Sequence, residues 1–272
     1  MSKVWFITGT SRGLGRAFAE AALERGDKVA ATARNIDSLA DLVGKYGADR
    51  VLPLALDVTD KAAVTAAVTA AVETFDRLDI VVNNAGYGLF GMVEEITEQQ
   101  LRDQLETNLF GAFWVTQAVL PTLREQGSGH IVQVSSAGGV AAFPSLGGYH
   151  ASKWALEGFS ESLAQEVAGL GIHVTIVEPG GFTTDWAGSS ATHAAQLSAY
   201  DQIRAAIATR LGDARYSDPA DAAAALLQVV DADNPPLRVF FGTEPLEIVE
   251  PLYAQRLKTW ADWQHISRIA QG

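Results

Sequence analysis

The chain has 272 residues and no cysteine, which excludes disulfide bonds, a thiolate nucleophile and a cysteine-bound metal. It has no apolar run long enough to span a membrane. It also has no internal repeat, low-complexity tract or shift in composition that would mark a linker. The first strand pattern begins almost at the first residue, which leaves no room for a signal peptide. These absences predict one cytoplasmic domain over residues 1–272.

Positive charge is scarce as well. The chain has 20 Lys and Arg against 32 Asp and Glu, and its formal net charge is -12. An acidic surface argues against nucleic acid or an anionic membrane as the main partner. It leaves room for an anionic ligand in a local basic pocket. We therefore expect a small-molecule ligand and a sizeable core, since 48% of the residues are hydrophobic.

Strand and helix patterns alternate along the chain. Seven short apolar runs rich in β-forming residues are separated by segments of helical spacing. These runs are Val4–Thr8, Lys28–Ala33, Val51–Leu56, Ile80–Val82, Ile131–Ser135, His173–Glu178 and Leu237–Phe241. The alternation predicts an α/β protein with a Rossmann-type, doubly wound, parallel seven-stranded sheet and helices on both faces. One long helix is predicted from Glu98 to Leu123, and a helical tail over about 245–272.

Three glycines follow the first strand pattern. Gly9, Gly13 and Gly15 form the turn that leads into a helix pattern. Glycines there let backbone N–H groups approach a pyrophosphate at a helix N-terminus. The spacing Gly-x3-Gly-x-Gly differs from the general dinucleotide fingerprint Gly-x-Gly-x2-Gly, and the alternative is a tight turn without a ligand. The flanking strand and helix favour the ligand-binding interpretation.

The end of the second strand pattern bears on the type of dinucleotide. In such folds an acid at this place selects a free ribose 2′-hydroxyl, whereas an arginine accommodates a 2′-phosphate. Here the strand ends Ala33-Arg34, and Arg12 lies in the glycine turn. The alternative is a pair of solvated arginines. We predict that NADP(H) is preferred over NAD(H).

Polar and small residues also follow the other strand patterns. Asp57, Asn84, Ser136 and Gly180 each lie just after one. Ligands of doubly wound sheets bind at the carboxyl ends of the strands, where these residues are expected to meet. Taken singly, an asparagine is more often a turn former and a serine a cap. The residues around Ser136 do not follow Gly-x-Ser-x-Gly, so a hydrolase elbow is not indicated.

Tyr149 and Lys153 are four residues apart in a helical pattern, which places them on one face of the helix. A lysine cation about 4 Å from the phenol would favour the phenolate by roughly 4 kcal/mol at an effective dielectric near 20. That equals roughly three pKa units and would bring the pKa of Tyr149 near 7. The pair could then exchange a proton at working pH. A solvated helix face is the alternative interpretation.

Together these motifs resemble the short-chain dehydrogenase/reductase family in its short single-domain form, from Val4 to about Gly242. The matching features are Thr8-Gly9-x3-Gly13-x-Gly15, Asn83-Asn84-Ala85-Gly86, Asn108, Ser136 thirteen residues before Tyr149, Tyr149-x3-Lys153, and Pro179-Gly180 with Thr184. The resemblance implies that Tyr149 exchanges a proton with the substrate oxygen. Lys153 lowers the tyrosine pKa and holds the nicotinamide ribose, and Ser136 hydrogen-bonds the substrate. Asn108 supports a water chain to Lys153.

The resemblance also implies an NADP(H)-dependent oxidoreductase that acts on a hydrophobic ketone or alcohol, without a metal. The expected cofactor-binding residues are Gly9, Ser11, Arg12, Gly13, Leu14, Gly15, Arg34, Asp57, Val58, Asn84, Ala85, Gly86, Tyr149, Lys153, Pro179, Gly180, Phe182 and Thr184. Residues of about 183–211, the lid segment, should cover the substrate. A homodimer or homotetramer is expected. Two alternatives stay open: a catalytically silent dinucleotide sensor on this fold, and an epimerase or dehydratase.

Overall fold

A computed structural model describes residues 2–212 and 216–271. Met1, residues 213–215 and Gly272, which belong to the predicted domain, lie outside the described residues. The strands are β1 (Val4–Ile7), β2 (Lys28–Ala33), β3 (Val51–Ala55), β4 (Ile80–Asn83), β5 (Leu89–Phe90), β6 (Gly129–Val134), β7 (Ile172–Pro179), β8 (Thr192–His193) and β9 (Arg238–Phe241). The helices are α1 (Gly13–Glu24), α2 (Ala40–Tyr46), α3 (Lys61–Phe75), α4 (Glu98–Leu105), α5 (Gly111–Gln126), α6 (Gly147–Val167), α7 (Asp201–Gly212), α8 (Pro219–Asp231), α9 (Glu244–Asp262) and α10 (Gln264–Gln271).

The main sheet has seven strands in the order β3-β2-β1-β4-β6-β7-β9, and each neighbouring pair is parallel. The chain moves outward from β1 to β3 and then returns to place β4 on the other side of β1. This reversal of strand order is the switch point beside which doubly wound sheets bind ligands. The predicted α/β, doubly wound, parallel sheet is confirmed.

The core lies on both faces of the sheet because successive side chains of a strand point to opposite sides. In β1, Trp5 and Ile7 pack in the layer with α1, α2 and α8, whereas Val4 and Phe6 pack in the layer with α3, α5 and α6. Of these four side chains, none is more than 3% exposed. The near-continuous apolar strand is therefore what a central position in a two-sided core requires.

The long helix predicted from Glu98 to Leu123 is wrong in one respect. The helical path extends to Gln126, but residues Glu106–Phe110 form a π-helical turn between α4 and α5. Asn108 lies in that turn and is buried. π-Turns inside α-helices frequently occur at functional sites. The irregular turn thus coincides with the residue that the family resemblance singled out.

The helical tail packs on the domain through α9, up to Arg256, which donates to the Val140 carbonyl at 3.1 Å. Pro245 and Val249 of α9 are buried, and Val249 joins Val140 and Ala141 in a small apolar cluster. Beyond it the large apolar side chains of the tail are exposed: Tyr253, Leu257, Trp260, Trp263, Ile266 and Ile269. Among the described residues, no helix is both long and apolar enough to cross a membrane.

Candidate active site

The glycine turn is fastened to the end of β4 by hydrogen bonds of Thr8 and Asn84. The Asn84 side-chain nitrogen donates to the carbonyl oxygens of Thr8 (2.9 Å) and Gly9 (3.2 Å). The Thr8 hydroxyl accepts from the backbone N–H groups of Asn84 (3.0 Å) and Ala85 (2.9 Å). Gly15 is required here, because a Cβ would lie 2.3 Å from both the Asn84 amide nitrogen and the Gly9 carbonyl oxygen. The glycine turn after β1 and the Asn84 segment after β4, which the sequence predicted to lie at the same edge of the sheet, are therefore in direct contact.

This turn leaves the N-terminus of α1 open. Gly9 and Gly13 have φ values of +72° and +61°, in the left-handed region that glycine favours. Arg12 precedes the helix, and its side chain does not cap the first N–H groups. Free N–H groups at a helix N-terminus suit a phosphate, so the turn fits the pyrophosphate of a dinucleotide.

The surroundings of the adenine end agree with the same ligand. Arg34 follows β2 directly, is exposed, and forms no ion pair with any described residue. Val58 is buried and Asp57 exposed, after β3, where the sequence predicted the border of the adenine. Asp57 itself accepts hydrogen bonds from the N–H (3.0 Å) and hydroxyl (2.8 Å) of Thr59.

Tyr149 and Lys153 lie in the first two turns of α6, and both are buried. The Lys153 ammonium donates a hydrogen bond to the carbonyl oxygen of Val134, the last residue of β6, at 2.8 Å. It lies 5.9 Å from the centroid of the Tyr149 ring. One face of α6 thus presents both side chains to the carboxyl edge of the sheet, as the spacing predicted.

The predicted pKa of Tyr149 is wrong for the structure as it stands. Burial raises the pKa of Tyr149 to about 12, and a hydrogen bond with Ser136 opposes this only in part. Burial likewise lowers the pKa of Lys153 to about 8, against the attraction of Glu157. Because Lys153 is held on the Val134 carbonyl and is itself desolvated, it does not bring the pKa of Tyr149 down to the predicted value near 7 in this arrangement.

Ser136 begins the loop that leads from β6 to α6. Its hydroxyl accepts from the Gly138 N–H at 2.9 Å, which caps a short helical turn, and it also hydrogen-bonds Tyr149. His150 holds the same loop: its Nε2 accepts from the Phe143 N–H (2.9 Å), and its Nδ1 donates to the Gly138 carbonyl (2.8 Å). Sequence reasoning missed His150, since a histidine beside the tyrosine carries no spacing signal.

Asn108 ties three elements together. Its amide nitrogen donates to the Tyr87 carbonyl oxygen (3.0 Å) and the Ser152 hydroxyl (3.2 Å), while its side-chain oxygen accepts from the Tyr87 N–H (3.1 Å). A Cβ on Gly86 would lie 3.0 Å from that oxygen and 3.7 Å from the Lys153 nitrogen. The structure therefore brings Asn108, Gly86 and Lys153 to the same place, where the glycine permits close approach.

The segment after β7 borders the same site. The Gly180 N–H donates to the Phe241 carbonyl at 2.9 Å, and a Cβ on Gly180 would lie 3.0 Å from Pro245. Phe182 is bridged to Ser217, and Thr184 faces Gly13 of the glycine turn, 3.6 Å from where a Cβ on that glycine would lie. The predicted positions after Pro179 thus run from the end of β7 to the N-terminus of α1.

Trp186 of the lid segment packs against Tyr149. The Trp186 ring meets the Tyr149 ring edge-on, with centroids 5.0 Å apart. Phe90 packs against Trp186 at 5.3 Å and stacks on His193 at 5.1 Å. Trp186 therefore contacts the tyrosine directly, and Phe90 contacts Trp186.

Arg12, which the sequence suggested for a 2′-phosphate, is paired with a carboxylate of the lid segment. Its Nη1 donates to the carboxylate of Asp185 at 2.8 Å and to the Ser189 hydroxyl at 3.2 Å. This ion pair connects the glycine turn to the lid segment, and both side chains are partly exposed. Of the two arginines considered for a 2′-phosphate, Arg34 is thus the one without such a tie.

The comparisons with known proteins agree with this geometry. A family model described as "short chain dehydrogenase" matches residues 3–195. This chain belongs to the short-chain dehydrogenase family. It is therefore an oxidoreductase of the kind that acts on CH–OH or C=O groups with NAD(P).

Relatives of this dehydrogenase cover nearly its whole length. "Oxidoreductase BOA17" of Botryotinia fuckeliana is 49% identical over 250 residues, which are 91% of each chain. A short-chain dehydrogenase from Streptomyces avermitilis has a similar structure, with a TM-score of 0.93, 39% identity, and coverage of 99% of this chain and 98% of that one. A short chain dehydrogenase from Burkholderia cenocepacia in complex with NADP gives a TM-score of 0.76 and 28% identity, over 96% of this chain and 97% of that one. Similar structures include complexes with NADP and with NADH, so they support a nicotinamide dinucleotide without a preference.

Proposed function

We propose that this dehydrogenase is an NADP(H)-dependent carbonyl reductase whose substrate is a hydrophobic ketone or the matching secondary alcohol. One observation carries the proposal: Ser136, Tyr149, Lys153 and Asn108 meet at the carboxyl edge of the sheet, beside the open glycine turn and under Trp186. A dinucleotide sensor without catalysis would need the glycine turn but not this group of polar side chains.

The chemistry assigned to the site is the reduction of a carbonyl group. When bound, the nicotinamide supplies the hydride that reaches the carbonyl carbon. The hydroxyl groups of Tyr149 and Ser136 stabilise the negative charge that develops on the carbonyl oxygen. Tyr149 then gives its proton to that oxygen, and Lys153 stabilises the phenolate that results. The open N-terminus of α1, Asn84, Gly86 and Thr184 would hold the cofactor beside this group.

The raised pKa of Tyr149 favours the reductive direction near neutral pH. A phenol whose pKa is about 12 stays protonated there and is ready to donate. Oxidation of an alcohol needs the phenolate as a base, so it is expected to speed up as the pH rises. We propose carbonyl reduction as the direction that this site performs at neutral pH.

Arg34 supports the choice of NADPH over NADH. The arginine is exposed after β2, next to Ala33, and no carboxylate stands there to bind two ribose hydroxyls. A guanidinium matches a phosphate with a planar pair of donors. One charge-assisted contact is worth roughly 1.5–3 kcal/mol, which corresponds to about a 10- to 150-fold preference. Arg12 can contribute only if it exchanges Asp185 for the phosphate, so we assign the preference mainly to Arg34.

The test is a panel of ketones, steroids, retinoids, sugars and acyl thioesters, each assayed with NADPH and NADH by cofactor absorbance. We expect the largest kcat/KM with a hydrophobic ketone and NADPH. The double variant A33D/R34S should reverse the cofactor ratio, whereas R124S, an exposed arginine at the end of α5 on the opposite edge of the sheet, should leave it unchanged. A wild-type preference for NADH would contradict the assignment.

The remaining expectations concern location and assembly. We propose that the enzyme works in the cytoplasm as a homodimer or homotetramer. Light scattering of the purified chain tests the assembly, and a monomer over the whole concentration range of the activity assay would contradict it. Sugar turnover without net change of the nicotinamide would instead favour the epimerase or dehydratase alternative.

A further inference from the structure

A buried acidic cluster lies directly behind the catalytic lysine. Tyr149, Lys153, Glu157 and Glu161 are spaced four residues apart on α6, so they form one row along the helix. The first two members have a role in the proposed reaction, and the third has none. Yet Glu157 is only 5% exposed, which is exceptional for a carboxylate.

A second buried carboxylate meets the first at a single arginine. Glu178, on β7 directly before Pro179, is 2% exposed. The Nε atom of Arg238 on β9 lies 3.1 Å from one oxygen of Glu157 and 3.6 Å from Oε1 of Glu178. Arg238 also donates to the outer, exposed Glu161 at 2.9 Å. Two buried carboxylates thus face one guanidinium, which is itself shared with a third carboxylate.

The unpaired oxygens of the two buried carboxylates indicate that one of the glutamates is protonated. Oε1 of Glu157 and Oε1 of Glu178 are buried and receive no well-oriented hydrogen bond from a described residue, while the nearby Ser135 hydroxyl opposes the rise of the Glu157 pKa in part. Two like charges that share so small a site cannot both ionise without a large cost, and a proton on one of them relieves it. Burial raises the pKa of Glu178 to about 8, with the charge of Glu157 adding to the effect, and burial also raises the pKa of Glu157.

The cluster also touches the loop of the active site. A Cβ on Gly139 would lie 2.8 Å from Oε1 of Glu157 and 2.4 Å from the buried hydroxyl of Ser135. On its other side Glu157 attracts Lys153 and opposes the fall of the lysine pKa that burial causes. The charged groups that face the two glutamates are Lys153 and Glu161 on α6 and Arg238 on β9.

We propose that Glu157 and Glu178 form an acid–carboxylate pair that holds one proton between them, and that this pair is a positioning element that keeps Lys153 protonated. The importance of Lys153 for catalysis rests on the proposed function. The effect of the pair on the ionisation of Lys153 does not, because that ionisation can be measured without turnover. When the pair loses its proton, a second negative charge arises behind Lys153. The ammonium that stabilises the Tyr149 phenolate is then favoured over a wider range of pH.

The first test observes the shared proton itself. Infrared spectra of protein with isotope-labelled glutamate should show a protonated carboxyl group at pH 7 that disappears as the pH rises through about 8. The variant E178Q should lose this signal, and E161Q, which removes the exposed carboxylate on the same arginine, should keep it. Absence of any protonated glutamate from the wild type at pH 7 would overturn the proposal.

The second test observes Lys153. The resonances of isotope-labelled lysine side chains are titrated, and the Lys153 signal is assigned by its loss in K153R. We expect E157Q to lower the midpoint of Lys153 by about one pH unit, because an adjacent opposite charge typically shifts a pKa by 1–3 units. E161Q should move it by less than about a fifth of that, since its charge is screened by water. A wild-type midpoint retained in a folded E157Q would overturn the positioning role.

E178Q covers the case in which E157Q does not fold. It removes the carboxylate on β7 and leaves Glu157 paired with Arg238, so loss of the pair's proton near pH 8 should no longer affect the ionisation of Lys153. A response identical to that of the wild type would count against the pair. If these results hold while no carbonyl compound is turned over, the proposed function fails and the acid pair stands.

Discussion

Two parts of the site are built in opposite ways. The proposed catalytic floor (Asn108, Ser136, Tyr149 and Lys153) is fixed by hydrogen bonds among buried elements: Lys153 on the end of β6, and Asn108 between Tyr87 and Ser152. The lid segment pairs with β5 through β8, and elsewhere it is attached at the surface, by Arg12 to Asp185 and by Tyr200 to Glu94. Glu95, a buried carboxylate, adds a further tie: it accepts from the Leu197 N–H and from Arg204, each at 2.7 Å.

The difference shows which part of the site has to be rigid and which part has to open. Proton transfer demands fixed geometry, and buried hydrogen bonds with no competing water provide it. Entry of a substrate demands opening, which surface ion pairs allow at little cost. Trp186 belongs to the lid yet touches Tyr149, so the movable part of the site is expected to decide which substrate reaches the fixed part.

Removing the proton donor of the floor should have the largest effect. Y149F keeps the ring and its contact with Trp186 but loses the hydroxyl. We expect kcat to fall by about 10²- to 10⁴-fold, the typical share of general acid catalysis, while the cofactor dissociation constant stays nearly the same. Steady-state rates and cofactor fluorescence titrations measure the two quantities.

Y46F is the matched control for Y149F. Tyr46 is also buried and hydrogen-bonded, to Glu24, but it lies on α2, outside the floor. Its removal should leave kcat unchanged. A rate for Y149F within a few fold of the wild type would remove the tyrosine from the floor.

A buried histidine far from both parts should change stability and leave turnover unaffected. Burial lowers the pKa of His130 to about 3, and its Nε2 hydrogen-bonds Thr175 at 2.9 Å. Between pH 3 and the ordinary value of 6.5 the unfolded chain binds a proton that the native one does not. Stability therefore rises with pH across this window and is lost as the pH falls through it, by about 1.4 kcal/mol for each unit below 6.5.

Denaturant unfolding of wild type and H130Q at pH 5.5 and 7.5 checks this. The wild type should lose about tenfold in its folding equilibrium constant to this group at the lower pH. H130Q should lose correspondingly less, while H265Q, which changes an exposed histidine of the helical tail, should behave as the wild type. Equal pH dependence in wild type and H130Q would show that burial of His130 does not set the acid limit.

The smallest effect is expected from the surface tie of the lid segment. D185N weakens the bonds of this side chain to Arg12, Ser189 and Ser190. Hydrogen exchange of residues 185–193 should accelerate by about 2- to 5-fold, as the loss of an exposed ion pair allows. E95Q, which weakens the buried tie, should accelerate residues 197–204 more strongly. Ligand-dependent slowing of exchange in the lid segment is expected, and equal exchange with and without NADP and an inhibitor would argue against a lid.

The sequence predicted the floor better than its electrostatics. Ser136 could be placed because it follows a strand, and Tyr149 and Lys153 because they share a helix face, and local spacing determines both. The pKa of Tyr149 could not, because it depends on burial and on Lys153 being held by Val134 rather than turned to the phenol.

Ion pairs between residues that are far apart in the sequence could not be predicted from local spacing either. Asp185 lies 173 residues from Arg12, and only the folded chain brings the lid segment to the glycine turn. The acidic cluster joins α6, β7 and β9 in the same way, over 81 residues between Glu157 and Arg238. The π-turn at Asn108 has no local breaker residue that would mark it in an otherwise helical stretch.

The most direct test of carbonyl reduction at this site follows the hydrogen that the cofactor transfers. NADPH that carries deuterium at its transferable position is incubated with the best ketone of the panel, and the alcohol product is examined by mass spectrometry. We predict one deuterium on the carbinol carbon of each product molecule, and a rate of product formation that is about 10²- to 10⁴-fold lower with Y149F. Oxidation of NADPH without deuterium in the product, or no oxidation with any carbonyl compound, would contradict the assignment of this site to carbonyl reduction.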